Sequence, residues 1–160
     1  MDSHSPVSGF YNRPILNDKF RFESKRVKIK TNTVDIFCDK NKVNQIDLLK
    51  IDTEGAESRV LRGAKRMIEN NQISMIQFEY GGCYIDAGEK LEDLYRMFIN
   101  NEYLIFRIFK DGLIHIHEWN EGLENFLLSN YLAVKKDYFV KAFPEYVGGG
   151  SGDFSIKYDE

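Results

Sequence analysis

The run Ile46-Asp47-Leu48-Leu49-Lys50-Ile51, followed directly by Asp52-Thr53-Glu54-Gly55-Ala56-Glu57, constrains this chain more than any other segment. An apolar stretch broken only by Asp47 and Lys50 reads as a strand covered on both faces. It ends in a cluster of carboxylates and a glycine, and an amphipathic helix follows over residues 57–70. Val60, Leu61, Ala64, Met67 and Ile68 form one apolar stripe there, with Arg59, Arg62, Lys65, Arg66 and Glu69 on the solvated side. Asn70-Asn71 suits the stop. In an open α/β sheet, chemistry collects just beyond the carboxyl ends of the strands.

The pattern then repeats. Ile73-Ser74-Met75-Ile76-Gln77-Phe78-Glu79-Tyr80 is a second strand closed by Gly81-Gly82, and Leu91, Leu94, Tyr95, Phe98 and Ile99 mark a second helix. Tyr103-Leu104-Ile105-Phe106-Arg107-Ile108-Phe109 is a third strand. Strand, helix, strand, helix, strand predicts a parallel α/β architecture. Asp111-Gly112 signals a hairpin, from which residues 113–117 return antiparallel. Residues 124–128 suggest a short helical turn, and residues 130–135 a final strand. Upstream, Val27-Lys28-Ile29-Lys30-Thr31 alternates like a half-buried strand, while residues 33–38 suit either its extension or a short helix. Three segments follow: an extended leading segment (1–26), a partial catalytic domain (27–140) and a flexible tail (141–160) containing Gly148-Gly149-Gly150-Ser151-Gly152.

Composition limits the function classes. With 160 residues, 12 Phe and 9 Tyr, the chain is one folded domain. A net charge of −3 gives no bulk attraction to nucleic acid or to an anionic membrane. No run reaches the length of a membrane span, and residues 1–6 lack the pattern of a secretory signal. Cys38 and Cys83 have neither disulfide-framework nor zinc-site spacing, which predicts a reducing, cytoplasmic setting.

Three carboxylates carry the candidate chemistry. Asp52 ends its strand and Glu54 lies in the following turn. If the two strands flanking the first helix are neighbours, Glu79 joins them on one rim of the sheet. Crowding and partial burial would then raise the pKa of at least one. A raised carboxylate accepts a proton from a substrate hydroxyl, and an unshifted pair can ligate a cation. Glu57, in the first helical turn, is accounted for by the helix dipole. Gly55 fits a tight turn that other residues avoid. Gly81-Gly82 suits either a turn or the close approach of a ligand. His115 and His117 share one strand face and are read as its solvated side, opposite Ile114 and Ile116, so no metal is assigned. Tyr80, Tyr84, Tyr95 and Phe98 read as core, and the basic run of residues 25–30 as a solvated face.

The segment Leu48-Leu49-Lys50-Ile51-Asp52-Thr53-Glu54-Gly55-Ala56-Glu57 with Val60-Leu61-Arg62-Gly63-Ala64 resembles the signature of FkbM-family methyltransferases. Ile76-Gln77-Phe78-Glu79-Tyr80 strengthens the likeness, as do residues 8–13, 27–35 and 130–134. The resemblance implies a Rossmann-like class I methyltransferase fold, S-adenosyl-L-methionine as cofactor, and O-methylation of a sugar or secondary-metabolite hydroxyl. It makes residues 46–52 the fourth strand of that fold and residues 73–80 the fifth. The late segments become antiparallel sixth and seventh strands. Asp52, Glu54 and Glu79 are the implied catalytic acids, with Asp52 facing the methyl group and the acceptor.

The family's fold opens with a glycine-rich cofactor loop, yet Gly9 is the only glycine before Asp52. The chain is therefore read as the C-terminal part of the fold, with no cofactor-binding residues assigned. Its fourth strand becomes an edge, to be covered by the leading segment, a second copy in a homodimer, or a complementing N-terminal half. Two readings stand: a methyltransferase inactive until complemented, or a non-catalytic remnant serving binding or assembly. A nucleotide-hydrolysing enzyme is disfavoured by the lack of a P-loop.

Overall fold

A computed structural model describes residues 9, 11 and 27–144 together with a two-residue strand, Ile156–Lys157. The expectations for the leading segment, apart from Gly9 and Tyr11, lie outside the described residues. So do those for most of the glycine-rich tail.

The strands are β1 (Ile46–Ile51), β2 (Ile73–Tyr80), β3 (Tyr103–Phe109), β4 (Gly112–His115), β5 (Ser129–Lys135) and β6 (Ile156–Lys157). They form one sheet in the order β1-β2-β5-β3-β4-β6. β1 and β2 pair in parallel, with Ile51 beside Phe78. β5 is antiparallel to both β2 and β3, so β3 points the same way as β1 and β2. The hairpin appears as predicted: Phe109 pairs with Gly112 across Lys110-Asp111, and Gly112 adopts φ 144°. This is the mixed α/β arrangement implied for a partial Rossmann-like fold.

Alternation along the late strands divides the core in two. Tyr103, Ile105, Tyr131 and Ala133 join Phe78, Leu94 and Phe98 in the larger cluster. Leu104, Phe106 and Val134 point the other way and pack with Phe139. The Phe78 ring stacks on both Phe98 and Tyr131, each at 5.4 Å between centroids. Phe139 belongs to a helix, Lys136–Ala142, for which the sequence reading assigned no element and whose last two residues it placed in the tail.

Between β1 and β2, the single helix predicted over 57–70 is two, Glu57–Arg62 and Lys65–Glu69. The cause is the upstream helix Val34–Asn41, here called α1, which Thr33 caps by accepting a bond from Ile36 N–H. Asp35 N–H donates to the Gly63 carbonyl at 2.9 Å. The Asp35 carboxylate in turn accepts Arg66 N–H at 2.9 Å and Met67 N–H at 3.1 Å. Backbone groups that would continue one helix are thus satisfied by α1 instead. A Cβ at residue 63 would lie 3.2 Å from Thr33 Cβ, so a glycine allows this approach.

Other expectations need correction. Residues 27–31 form no strand; Val27 and Ile29 are 71% and 66% exposed, because among the described residues no sheet neighbour receives them. β1 is not covered on both faces, since Leu48 is 50% exposed, although among the described residues it is the sheet edge that was expected. Residues 124–128 are irregular, the helical turn lying earlier at Glu121–Leu123. Ile114 is exposed and His115 half-buried, against the faces assigned to them, whereas Ile116 packs on the core and His117 is exposed as expected. A short helix, Cys83–Ala87, follows Gly81-Gly82 and had no signal of its own. No helix among the described residues is long and apolar enough to cross a membrane.

Candidate functional site

The register of β1 and β2 decides which acids meet. Ile51 pairs with Phe78, so the next residues stand side by side, Asp52 just past the end of β1 and Glu79 still within β2. Glu54 returns to the same place through the turn that follows β1. Asp52, Glu54 and Glu79 each offer a carboxylate oxygen within 4.8 Å of the others. The juxtaposition expected from the sequence is therefore present.

Two successive residues of that turn carry positive φ, Glu54 at 54° and Gly55 at 101°. Gly55 has no substitute, because a Cβ there would lie 2.7 Å from the Cys83 carbonyl oxygen. Glu54 occupies the left-handed region at a cost of roughly 1 kcal/mol, so something else must hold the turn. Glu57 does so. Its fully buried carboxylate accepts Thr53 N–H at 2.7 Å and Thr53 Oγ1–H at 3.0 Å on one oxygen. The other oxygen accepts Gly55 N–H at 2.9 Å. The helix dipole accounts for an acid at this position but not for this role, which the sequence reading missed. The spacing Thr53-x-x-x-Glu57 around a glycine was the available signal.

The three rim acids differ in environment. Asp52 is exposed and forms an exposed ion pair with Lys50 at 3.0 Å, worth little in water. Glu54 and Glu79 are half-buried. Burial, then the neighbouring charges of Asp52, Glu54 and Glu57, push the Glu79 carboxyl above its ordinary value, while Lys50 opposes them. A second hydrogen-bond set steadies the strand end beside it. Tyr84 donates to the Glu79 carbonyl at 3.2 Å. Tyr80 donates to the Glu124 carboxylate at 2.9 Å and accepts Phe126 N–H at 2.8 Å. Glu124 also accepts the N–H groups of Leu91 and Glu92, each at 3.1 Å, and so caps the following helix.

The leading segment reaches this rim. A Cβ at Gly9 would lie 3.0 Å from Glu54 Cβ, and the Arg59 guanidinium sits 5.1 Å over the Tyr11 ring. Around the rim, Gly82 is the glycine whose added Cβ would meet nothing within 4 Å. Gly81 and Gly82 have no positive φ, so the turn does not demand them. Tyr80, Tyr84 and Phe98 are core, as read from the sequence, with Tyr95 only partly buried. Cys38 and Cys83 are buried, and neither is part of a disulfide.

No curated protein and no solved structure matches this chain. From residue 2 to residue 105, however, it matches the family described as the methyltransferase FkbM domain. That span covers more than half of the 160 residues and includes Asp52, Glu54 and Glu79. The chain belongs to the FkbM methyltransferase domain family.

Proposed function

We propose that the chain forms the acceptor side of an S-adenosylmethionine-dependent O-methyltransferase that acts on a hydroxyl of a sugar or secondary metabolite. The observation that carries this reading is the half-buried Glu79 carboxylate, raised in pKa and set among Asp52 and Glu54 at the ends of adjacent parallel strands.

The donor set suits one end of the cofactor. Asp52 and Glu54 supply negative charge for its ammonium and sulfonium groups, and Gly82 leaves backbone open to close approach. For adenine and ribose the described residues present no glycine-lined cradle: Gly55 abuts Cys83 and Gly81 abuts Leu128. When bound, S-adenosylmethionine supplies an electrophilic methyl group.

The chain's own contribution is acid–base and positional. Glu79 takes the hydroxyl proton on a carboxylate oxygen, for which its raised pKa makes it a stronger acceptor than an ordinary glutamate. Asp52 and Glu54 orient the hydroxyl and hold a negative field beside the reacting centre. Tyr80, Tyr84 and Glu124 keep the strand end that carries Glu79 in place.

The test is methyl transfer to a panel of sugar and polyketide hydroxyls by the wild type, Glu79→Gln and Asp52→Asn. Transfer that falls about a hundredfold in Glu79→Gln supports the assignment. Equal transfer by wild type and Glu79→Gln overturns it.

A second reading is favoured by the open edge of β1. Among the described residues nothing pairs with its outer side, and Val34, Phe37, Val43, Ile46 and Leu49 line an apolar groove of about 360 Å³ beside it. On this reading the chain is a non-catalytic assembly module that pairs through β1 with a second copy. Sedimentation equilibrium separates the two: a dimer abolished by Leu48→Lys, in a chain without transfer activity, supports the module.

A further inference from the structure

We propose that His115 and His117 form a zinc site, remote from the acid rim, in which two imidazole nitrogens supply adjacent ligands to one Zn²⁺ ion. His115 Nδ1 and His117 Nε2 stand 3.2 Å apart, with ring centroids 4.0 Å apart and ring planes inclined at 63°. Tetrahedral zinc with Zn–N bonds of about 2.05 Å separates two adjacent ligand nitrogens by about 3.3 Å. The pair, now hydrogen-bonded to each other, is therefore already at ligand spacing.

The spacing comes from the sheet. β4 ends at His115, but the Ile116 N–H bond to the Ile105 carbonyl carries the chain on beside β3, so His117, two residues later, falls on the same side as His115. Their backbone is held on several sides. His115 pairs with Phe106, Ile116 N–H donates to the Ile105 carbonyl at 2.7 Å, and Tyr95 donates to the His117 carbonyl at 3.1 Å. The His115 ring also lies 5.0 Å from the Phe106 ring, which limits its rotation. Rigid support of this kind is what a metal site requires.

The site is separate from the rim. β4 lies four strands from β1, roughly 19 Å away at ordinary strand spacing. Because β4 runs against β3, its last residues point to the end of the sheet opposite Asp52 and Glu79. Bound zinc replaces the hydrogen now shared by the two nitrogens, and the donating ring then carries its proton on its other nitrogen. Imidazole suits zinc better than magnesium or calcium, which select oxygen ligands.

Calorimetric titration of the untagged chain with zinc chloride at pH 7.5 tests the proposal. One zinc per chain is expected, with affinity at least about tenfold weaker in His117→Asn and in His115→Asn. Binding is expected to persist in His4→Asn and in the double variant Asp52→Asn with Glu79→Gln. His117 is exposed, so its variant keeps the fold, as the far-ultraviolet circular dichroism spectrum will show. No zinc uptake overturns the proposal, as does uptake that His117→Asn leaves unchanged or that the Asp52 and Glu79 variant abolishes.

Discussion

Asp52 and Glu79 come from different strands yet stand side by side, because Ile51 and Phe78 are partners in the parallel β1–β2 register. The acid rim is thus a product of sheet pairing, and the two acids differ because Glu79 is half-buried and Asp52 exposed. On the proposed reading, this difference, rather than the mere number of carboxylates, is what makes Glu79 the base.

The raised pKa of Glu79 has a consequence for stability. A carboxyl whose pKa is higher folded than unfolded contributes stability below its unfolded value, and that contribution is lost as pH rises through the folded value. Glu79→Gln removes the charge that is penalised near neutral pH. Thermal unfolding of the two proteins should show the variant with the higher Tm at pH 7.5, and the advantage should vanish at pH 4.

Glu57 should prove structural. Replacing it by Ala orphans Thr53 N–H, Thr53 Oγ1–H and Gly55 N–H in a buried turn. Urea denaturation should show a loss of about 3 kcal/mol or more. Glu54→Gln removes a rim charge and none of these bonds, and should change stability by less than about 1 kcal/mol.

Gly55→Ala combines a forbidden φ with a Cβ 2.7 Å from the Cys83 carbonyl oxygen. A destabilisation of about 2 kcal/mol or more is expected by the same denaturation experiment. Gly82→Ala, where an added Cβ meets nothing, should fold as the wild type does.

Glu124 joins the end of β2 to the start of the helix Leu91–Asn100. Tyr80→Phe loses one partner of this set, whereas Glu124→Ala orphans Leu91 N–H, Glu92 N–H and the Tyr80 hydroxyl. Hydrogen exchange should show faster opening of the first helical turn in Glu124→Ala, and little change there in Tyr80→Phe.

Much of this was legible in the sequence, for physical reasons that differ by element. The runs that became β1, β2 and β3 are long and apolar, and their bounds follow almost directly from where the apolar residues stop. The meeting of Asp52, Glu54 and Glu79 needed one further step, the parallel pairing of β1 with β2. Local pattern failed where a partner decides. Residues 27–31 alternate like a strand but find no neighbour to pair with among the described residues, and one amphipathic stripe became two helices because Asp35 captures the backbone of Arg66 and Met67. Cys83–Ala87 is too short to show a period. The roles of Glu57 and Glu124 rest on side-chain bonds to backbone, which no periodicity records.

Calorimetric titration with S-adenosylhomocysteine, the demethylated product, tests the methyltransferase rim most directly. The account predicts that the wild type binds only the ammonium-bearing end of the ligand, with an affinity of about 1 mM, and that binding is strongly weakened in Asp52→Asn and preserved in His117→Asn. Equal binding by wild type and Asp52→Asn, or none at millimolar ligand, would contradict it.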